Sequence, residues 1–139
     1  MKKLFFYLTV LLVSLFSACD TGQTAVSFND KLVYQFDLVQ DAFNSYIEID
    51  SYSYSQLKDI TSKALVVTKS IPDYKNGGMY KLAVVDFIKA SIDVIGSDED
   101  ELLNNLQNET SVFNRLINKE DNVIKQQKWF ATLNNIKLI

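Results

Sequence analysis

The chain has 139 residues and a formal net charge of −3, and it contains no histidine. Its length suits one domain with its own core. Fourteen basic residues against 17 acidic ones exclude a basic nucleic-acid footprint. The lack of histidine excludes serine–histidine and cysteine–histidine catalysis and the histidine-based zinc and di-metal motifs in this sequence.

The first 19 residues follow a definite order of basic, apolar and small side chains. Two lysines precede an apolar stretch at residues 4–16, which has the length of a signal-peptide core and is too short to span a bilayer. A serine and an alanine then precede Cys19, the only cysteine. The arrangement resembles the lipobox, although Phe16 stands where most lipoboxes carry Leu, Val or Ile.

We therefore predict that residues 1–18 are cleaved and that Cys19 is lipidated. Several acyl chains would anchor the protein stably to a bacterial membrane, at its periplasmic face or at the cell surface. The alternative, an ordinary secretory signal, is disfavoured by bulky Phe16 three residues before the cut. Cleavage removes two lysines and no acid, so 12 basic and 17 acidic residues leave a net charge of −5. With its only thiol lipidated, the chain forms no internal disulfide.

Residues 19–26 are predicted to form a polar tether and residues 27–139 the folded domain. From Ser27 to about Ile49, apolar residues recur at steps of three and four, which predicts a first helix with a cap formed by Ser27 and Asp30. The recurring residues are Phe28, Leu32, Phe36, Val39, Phe43 and Tyr46.

Two further helices are predicted between residues 54 and 95. The second follows a run of capping serines and ends before Pro72, and the third begins near Gly78, after a glycine pair, and ends at Gly96. The second apolar stripe is Leu57, Ile60, Ala64, Val67 and Ile71. The third is Leu82, Val85, Ile88, Ile92 and Ile95.

The remaining sequence predicts a short acidic helix and a long last helix. Ser97 is the predicted cap of the acidic helix, which runs to about Leu106 and which periodicity alone does not separate from its neighbours. Asn108 or Thr110 is the predicted cap of the last helix, which ends near Lys137. Its stripe is Val112, Phe113, Leu116, Val123, Ile124, Phe130 and Leu133.

Together these segments predict an all-α fold, an up-and-down four-helix bundle with a short additional acidic helix. The lipobox, the segment Phe-Asn-Asp-Lys-Leu-Val at residues 28–33 and the helix spacing resemble small helical surface lipoproteins of spirochaetes and Bacteroidetes. The resemblance implies an envelope location. It carries over no functional residue beyond Cys19.

Three residue groups are candidate sites of chemistry or binding. The acids at residues 98–101, with Glu109, could supply the paired carboxylates that glycosidases use, but they are more typical of a solvated helix start. Carboxylates also bind calcium, but Leu103 stands where an EF-hand loop needs glycine. Gly77 and Gly78 suggest a phosphate cradle, but without a preceding strand they are more typical of an interhelical turn.

Aromatic residues form the last group. For the tyrosines, an exposed patch for a protein or glycan partner is one interpretation, and rings that close the ends of the bundle are the other. For Trp129 the choice is between a core anchor and an exposed contact, and the stripe that turns Phe130 inward leaves Trp129 at its margin. The candidate contacts are Tyr52, Tyr54, Tyr74, Tyr80 and Trp129.

The sequence thus predicts a non-enzymatic, membrane-anchored lipoprotein that presents a binding or scaffold domain, with no cofactor and no metal. The alternative is a carrier that holds a small ligand or lipid in an apolar cavity between helices. An enzyme that uses carboxylates alone is a more distant possibility.

Overall fold

The structure, a computed structural model, describes residues 23–48 and 52–138. The predicted signal peptide and half of the predicted tether, residues 19–22 with Cys19, lie outside these ranges. Within them the chain forms five helices and no strand, which confirms the predicted all-α class. The helices are α1 (Ala25–Ile47), α2 (Tyr54–Ser70), α3 (Gly78–Ile95), α4 (Glu99–Gln107) and α5 (Ser111–Leu133).

Two helix starts differ from the prediction. The first helix begins at Ala25, ahead of Ser27, because the hydroxyl of Thr24 accepts a hydrogen bond from the Ser27 amide and caps the first turn. The cap of α4 is Asp98 and not Ser97, since the Asp98 carboxylate accepts from the Glu101 amide. The second helix starts as expected, with a capping box between Ser53 and Gln56.

The last helix is separate from α4 and ends earlier than predicted. Thr110 precedes its first turn, but the Thr110 hydroxyl donates to Asn105 and does not cap α5. At the other end Asn135 takes a positive φ of 53°, which turns the chain back so that the Ile136 amide donates to the Ala131 carbonyl. The helix therefore stops at Leu133, before Lys137.

The third helix is the centre of the domain, because it packs against each of the other four. Its buried surface is wider than the predicted stripe and includes Ala83, Val84, Phe87 and Val94. Leu82, which was predicted to be buried, is instead 50% exposed. A helix surrounded on several sides loses the one-sided pattern on which the stripe prediction depends.

The second helix buries two threonines where the stripe predicted only aliphatic residues. Thr61 and Thr68 are fully buried, and each hydroxyl donates to the carbonyl four residues earlier in the same helix. Val67, a predicted core residue, is 44% exposed. The buried face therefore passes through Leu57, Ala64 and the two satisfied threonines.

Long-range hydrogen bonds and ion pairs fix the direction of α5. On α1, Asn29 accepts from Gln127 and Gln40 donates to Glu120, so a later residue of α1 meets an earlier residue of α5. The ion pairs Lys119–Asp86 and Arg115–Asp93 run in the same opposed order along α3. Helix α5 is therefore antiparallel to both α1 and α3.

A cluster of four aromatic rings fills the end of the domain at which α1 begins. The Phe28 ring lies 5.3 Å from Phe130 and 5.7 Å from Tyr74, and the Tyr80 ring lies 5.7 Å from Phe130. Phe28 and Phe130 are fully buried. The cluster joins α1, α3 and α5 to the loop that follows α2.

Candidate functional site

The predicted tyrosine patch is divided between the two ends of the domain. Tyr52 and Tyr54 lie where α2 begins, and the Tyr54 hydroxyl donates to the Gly96 carbonyl at the end of α3. Tyr74 and Tyr80 belong to the aromatic cluster at the opposite end. The side chain of Tyr80 is 1% exposed, so it offers no surface to a partner, and its burial fits the second interpretation, rings that close the end of the bundle.

Trp129 lies on the outer face of α5 and is 61% exposed, while its neighbour Phe130 points into the core. A surface groove runs along this face, with Ile124, Lys125 and Lys128 beside Trp129 among its lining residues. This groove lies on the outside of a helix, not between helices. An exposed indole beside two lysines combines a large apolar surface with positive charge.

The acids near α4 have local structural roles. Asp98 caps the helix, and the Glu101 carboxylate accepts from both the amide and the hydroxyl of Ser97. Glu99 accepts from the hydroxyl of Tyr46 on α1. In the described ranges, no group of three or more potential ligands is arranged to hold a metal ion.

The glycine pair before α3 belongs to a turn. The Gly77 amide donates to the Tyr74 carbonyl, and a side chain at Gly77 would collide with the Phe28 ring. The nearby Lys81 ammonium donates to the Ile71 carbonyl and pairs with Asp73. The interpretation as an interhelical turn therefore fits, and the lysine that follows serves the turn itself.

Two half-buried carboxyl groups, one on α5 and one on α1, have raised pKa values. Desolvation, reinforced by Asp121, raises the pKa of Glu120 to about 7, although a hydrogen bond from Gln40 opposes the shift. Desolvation and Asp41 raise the pKa of Asp37 to about 6. Sequence reasoning missed both groups, because neither lies in a motif and Glu120 is placed by contact with Gln40, 80 residues earlier.

In comparisons with known proteins, no protein-family model, no curated protein and no solved structure matches this chain. Of the helices that the structure describes, none is long and apolar enough to cross a membrane.

Proposed function

We propose that the protein is a non-enzymatic bacterial lipoprotein, held on a membrane by lipid on Cys19, that presents a helical domain to a protein or glycan partner. The observation that carries this proposal is the place of the lipobox relative to α1. The first helix begins at Ala25, six positions after Cys19, so a lipid on that thiol would hold the domain close to the bilayer.

The arrangement of the long helices supports a scaffold role. We propose that α1, α2, α3 and α5 form an up-and-down four-helix bundle and that α4 is an additional short helix at one end. The opposed order of the α5 contacts with α1 and α3 supports this topology, as does the bond from Tyr54 at the start of α2 to Gly96 at the end of α3. Such a bundle holds its two ends at a fixed separation.

The end that would face away from the membrane is the candidate partner surface. It carries Tyr52 and Tyr54 at the start of α2 and the acidic first turn of α4. Tyrosines that keep part of their surface accessible are suited to contacts with a protein or a sugar. A carrier of small ligands or lipids would instead co-purify with its cargo, which mass spectrometry of the native protein detects.

Metabolic labelling tests the anchor. Cells that express the full chain are grown with an alkynyl palmitate, and the label on the protein is measured for the wild type and for Cys19→Ser. We expect label on the wild type, none on Cys19→Ser, and normal labelling of Ser17→Ala as a matched control. An unlabelled wild-type protein overturns the proposal.

Protease treatment of intact cells then distinguishes the cell surface from the periplasm. A known periplasmic protein serves as the leak control. Release of peptides from α2 to α5 would place the domain outside the cell. Protection until the outer membrane is permeabilised would place it in the periplasm.

A further inference from the structure

Three segments meet at the end of the domain from which the chain leads back to Cys19. We call residues 23–33, 66–84 and 123–138 together the anchor-proximal end. Gln23 donates to the Pro72 carbonyl, which joins the first segment to the second. Phe28 contacts Tyr74 and Phe130, which joins all three.

The charges of the protein are segregated along the domain. The anchor-proximal end has seven lysines and two aspartates, a net charge of +5, whereas the other described residues have five cations and 13 acids, a net charge of −8. The anchor-proximal lysines are Lys31, Lys69, Lys75, Lys81, Lys125, Lys128 and Lys137. An acidic chain thus has one strongly basic end, and that end is the one nearest the predicted lipid.

Exposed apolar side chains lie at the same end. The outer faces of α3 and α5 are joined by ion pairs in their distal parts, through Asp93 and Arg115, and then through Asp86 and Lys119. Further toward the anchor, these helices expose large apolar residues instead. The exposed residues are Met79, Leu82, Trp129 and Leu133.

The length of the connection limits where this end can lie. Five residue steps separate Cys19 from Thr24, the cap of α1, and a fully extended chain spans at most about 3.6 Å per residue, roughly 18 Å in all. If Cys19 is lipidated, as the proposed function requires, the basic end stays close to the headgroups whatever path the connecting residues take.

We propose that the anchor-proximal end docks on the bilayer surface by binding anionic phospholipid headgroups, with Trp129 at the interface and Lys125 and Lys128 beside it. Lysines attract anionic lipid across short distances, and their aliphatic stems and an indole ring are both suited to the boundary between headgroups and acyl chains. The acidic distal residues are repelled by the same surface. The domain therefore stands upright and presents the end with Tyr52 and Tyr54 to the outside.

Trp129 is the only tryptophan in the chain, so its fluorescence reports on this one face. The lipidated protein is reconstituted into vesicles of phosphatidylcholine alone or mixed with phosphatidylglycerol, each with a spin-labelled lipid that quenches near the headgroups. We expect a blue shift and strong quenching of Trp129 only in the vesicles that contain phosphatidylglycerol. Raising the salt from about 0.1 M to about 1 M, which shortens the Debye length from about 10 Å to about 3 Å, removes both effects.

Charge reversal at matched positions tests the assignment to this face. Lys125→Glu/Lys128→Glu should lose the lipid-dependent quenching, whereas Lys58→Glu/Lys89→Glu, with the same change of net charge outside the anchor-proximal end, should keep it. Circular dichroism of both variants confirms that they are folded. Equal quenching of the two variants, or equal quenching in the two kinds of vesicle, overturns the proposal.

Flotation of the vesicles separates this inference from the proposed function on which it rests. Wild-type protein that floats with both kinds of vesicle, without a change at Trp129, is anchored but not docked, and only the docking proposal fails. Protein that is never lipidated and does not float contradicts both. A blue shift of Trp129 that depends on protein concentration without vesicles would assign the face to a second copy of the chain and would also overturn the proposal.

Discussion

The side-chain amide of Gln40 on α1 donates a 2.7 Å hydrogen bond to the carboxylate of Glu120 on α5, 80 residues later in the chain. The fully buried Asn29, on the same helix, accepts a second bond from Gln127 of α5. These two polar contacts set how α1 and α5 align, because a shift along either helix would leave buried polar groups without partners. One of them also places an ionisable group in a poorly solvated position.

Stability should therefore fall as the pH rises from about 5 to above 7. The pKa of Glu120 is raised from 4.5 to about 7 and that of Asp37 from 3.8 to about 6. Between the ordinary and the raised pKa values the folded state binds more protons than the unfolded state, so deprotonation favours unfolding. Urea denaturation at a series of pH values measures this trend, and a midpoint that increases across the same interval would contradict it.

Replacing Glu120 with glutamine isolates its part of the effect. Glu120→Gln keeps an oxygen that accepts from Gln40 and removes the charge, so the variant should be more stable than the wild type at pH 8 and should lose most of the slope between pH 5 and 7. Asp121→Asn, at an exposed neighbour, is the matched control and should keep most of the slope. The two urea series distinguish burial of Glu120 from a general effect of net charge.

The neighbours Phe130 and Trp129 should respond in opposite ways to truncation. Phe130 is fully buried against Phe28, Tyr74 and Tyr80, so Phe130→Ala should lower the free energy of unfolding by about 3–5 kcal/mol. Trp129→Ala removes an exposed ring and should change it by no more than about 0.5 kcal/mol. Chemical denaturation followed by circular dichroism measures both, and similar losses would show that the two side chains are equally buried.

The sequence predicted the approximate positions of the helices and most of the core residues, but not which side chains meet between helices. Apolar periodicity located Phe28, Leu32, Leu116 and Phe130, because a one-sided stripe is a local signal. It failed at Leu82, where the central helix is surrounded on several sides. No local pattern brings Gln40 to Glu120, because that contact depends on how the complete domain packs.

The buried threonines and the tyrosines at opposite ends of the domain show the same limit of local sequence patterns. The predicted stripe of α2 does not include Thr68, yet this residue is fully buried and its hydroxyl donates to a carbonyl of its own helix. Tyr54 and Tyr74 are equally aromatic in the sequence, and only the antiparallel course of the chain places them at opposite ends. Lipidation of Cys19 and a protein or glycan partner remain predictions.

Asn105 should be essential to the corner between α3, α4 and α5. Its buried side chain donates to the Val94 carbonyl and accepts from the Thr110 hydroxyl. Asn105→Ala leaves both partners without that bond and should cost about 1–3 kcal/mol. Asn104→Ala, at the exposed neighbour, is the control and should cost much less. Urea denaturation of the two variants checks the difference, and equal losses would contradict the role assigned to the two hydrogen bonds of Asn105.

Gly96 and Gly78 should respond to alanine with opposite signs. Gly96 ends α3 at φ 68° and ψ −162°, a conformation that is almost exclusive to glycine, and a Cβ there would lie 2.5 Å from the Glu101 side chain that accepts from Ser97. Gly96→Ala should therefore destabilise the protein by about 1–3 kcal/mol. Gly78 is the first residue of α3 and has open space around it, so Gly78→Ala should stabilise by about 0.4–1 kcal/mol, because it restricts the unfolded chain. Thermal denaturation followed by circular dichroism measures both shifts, and a stabilising Gly96→Ala would contradict the turn geometry between α3 and α4.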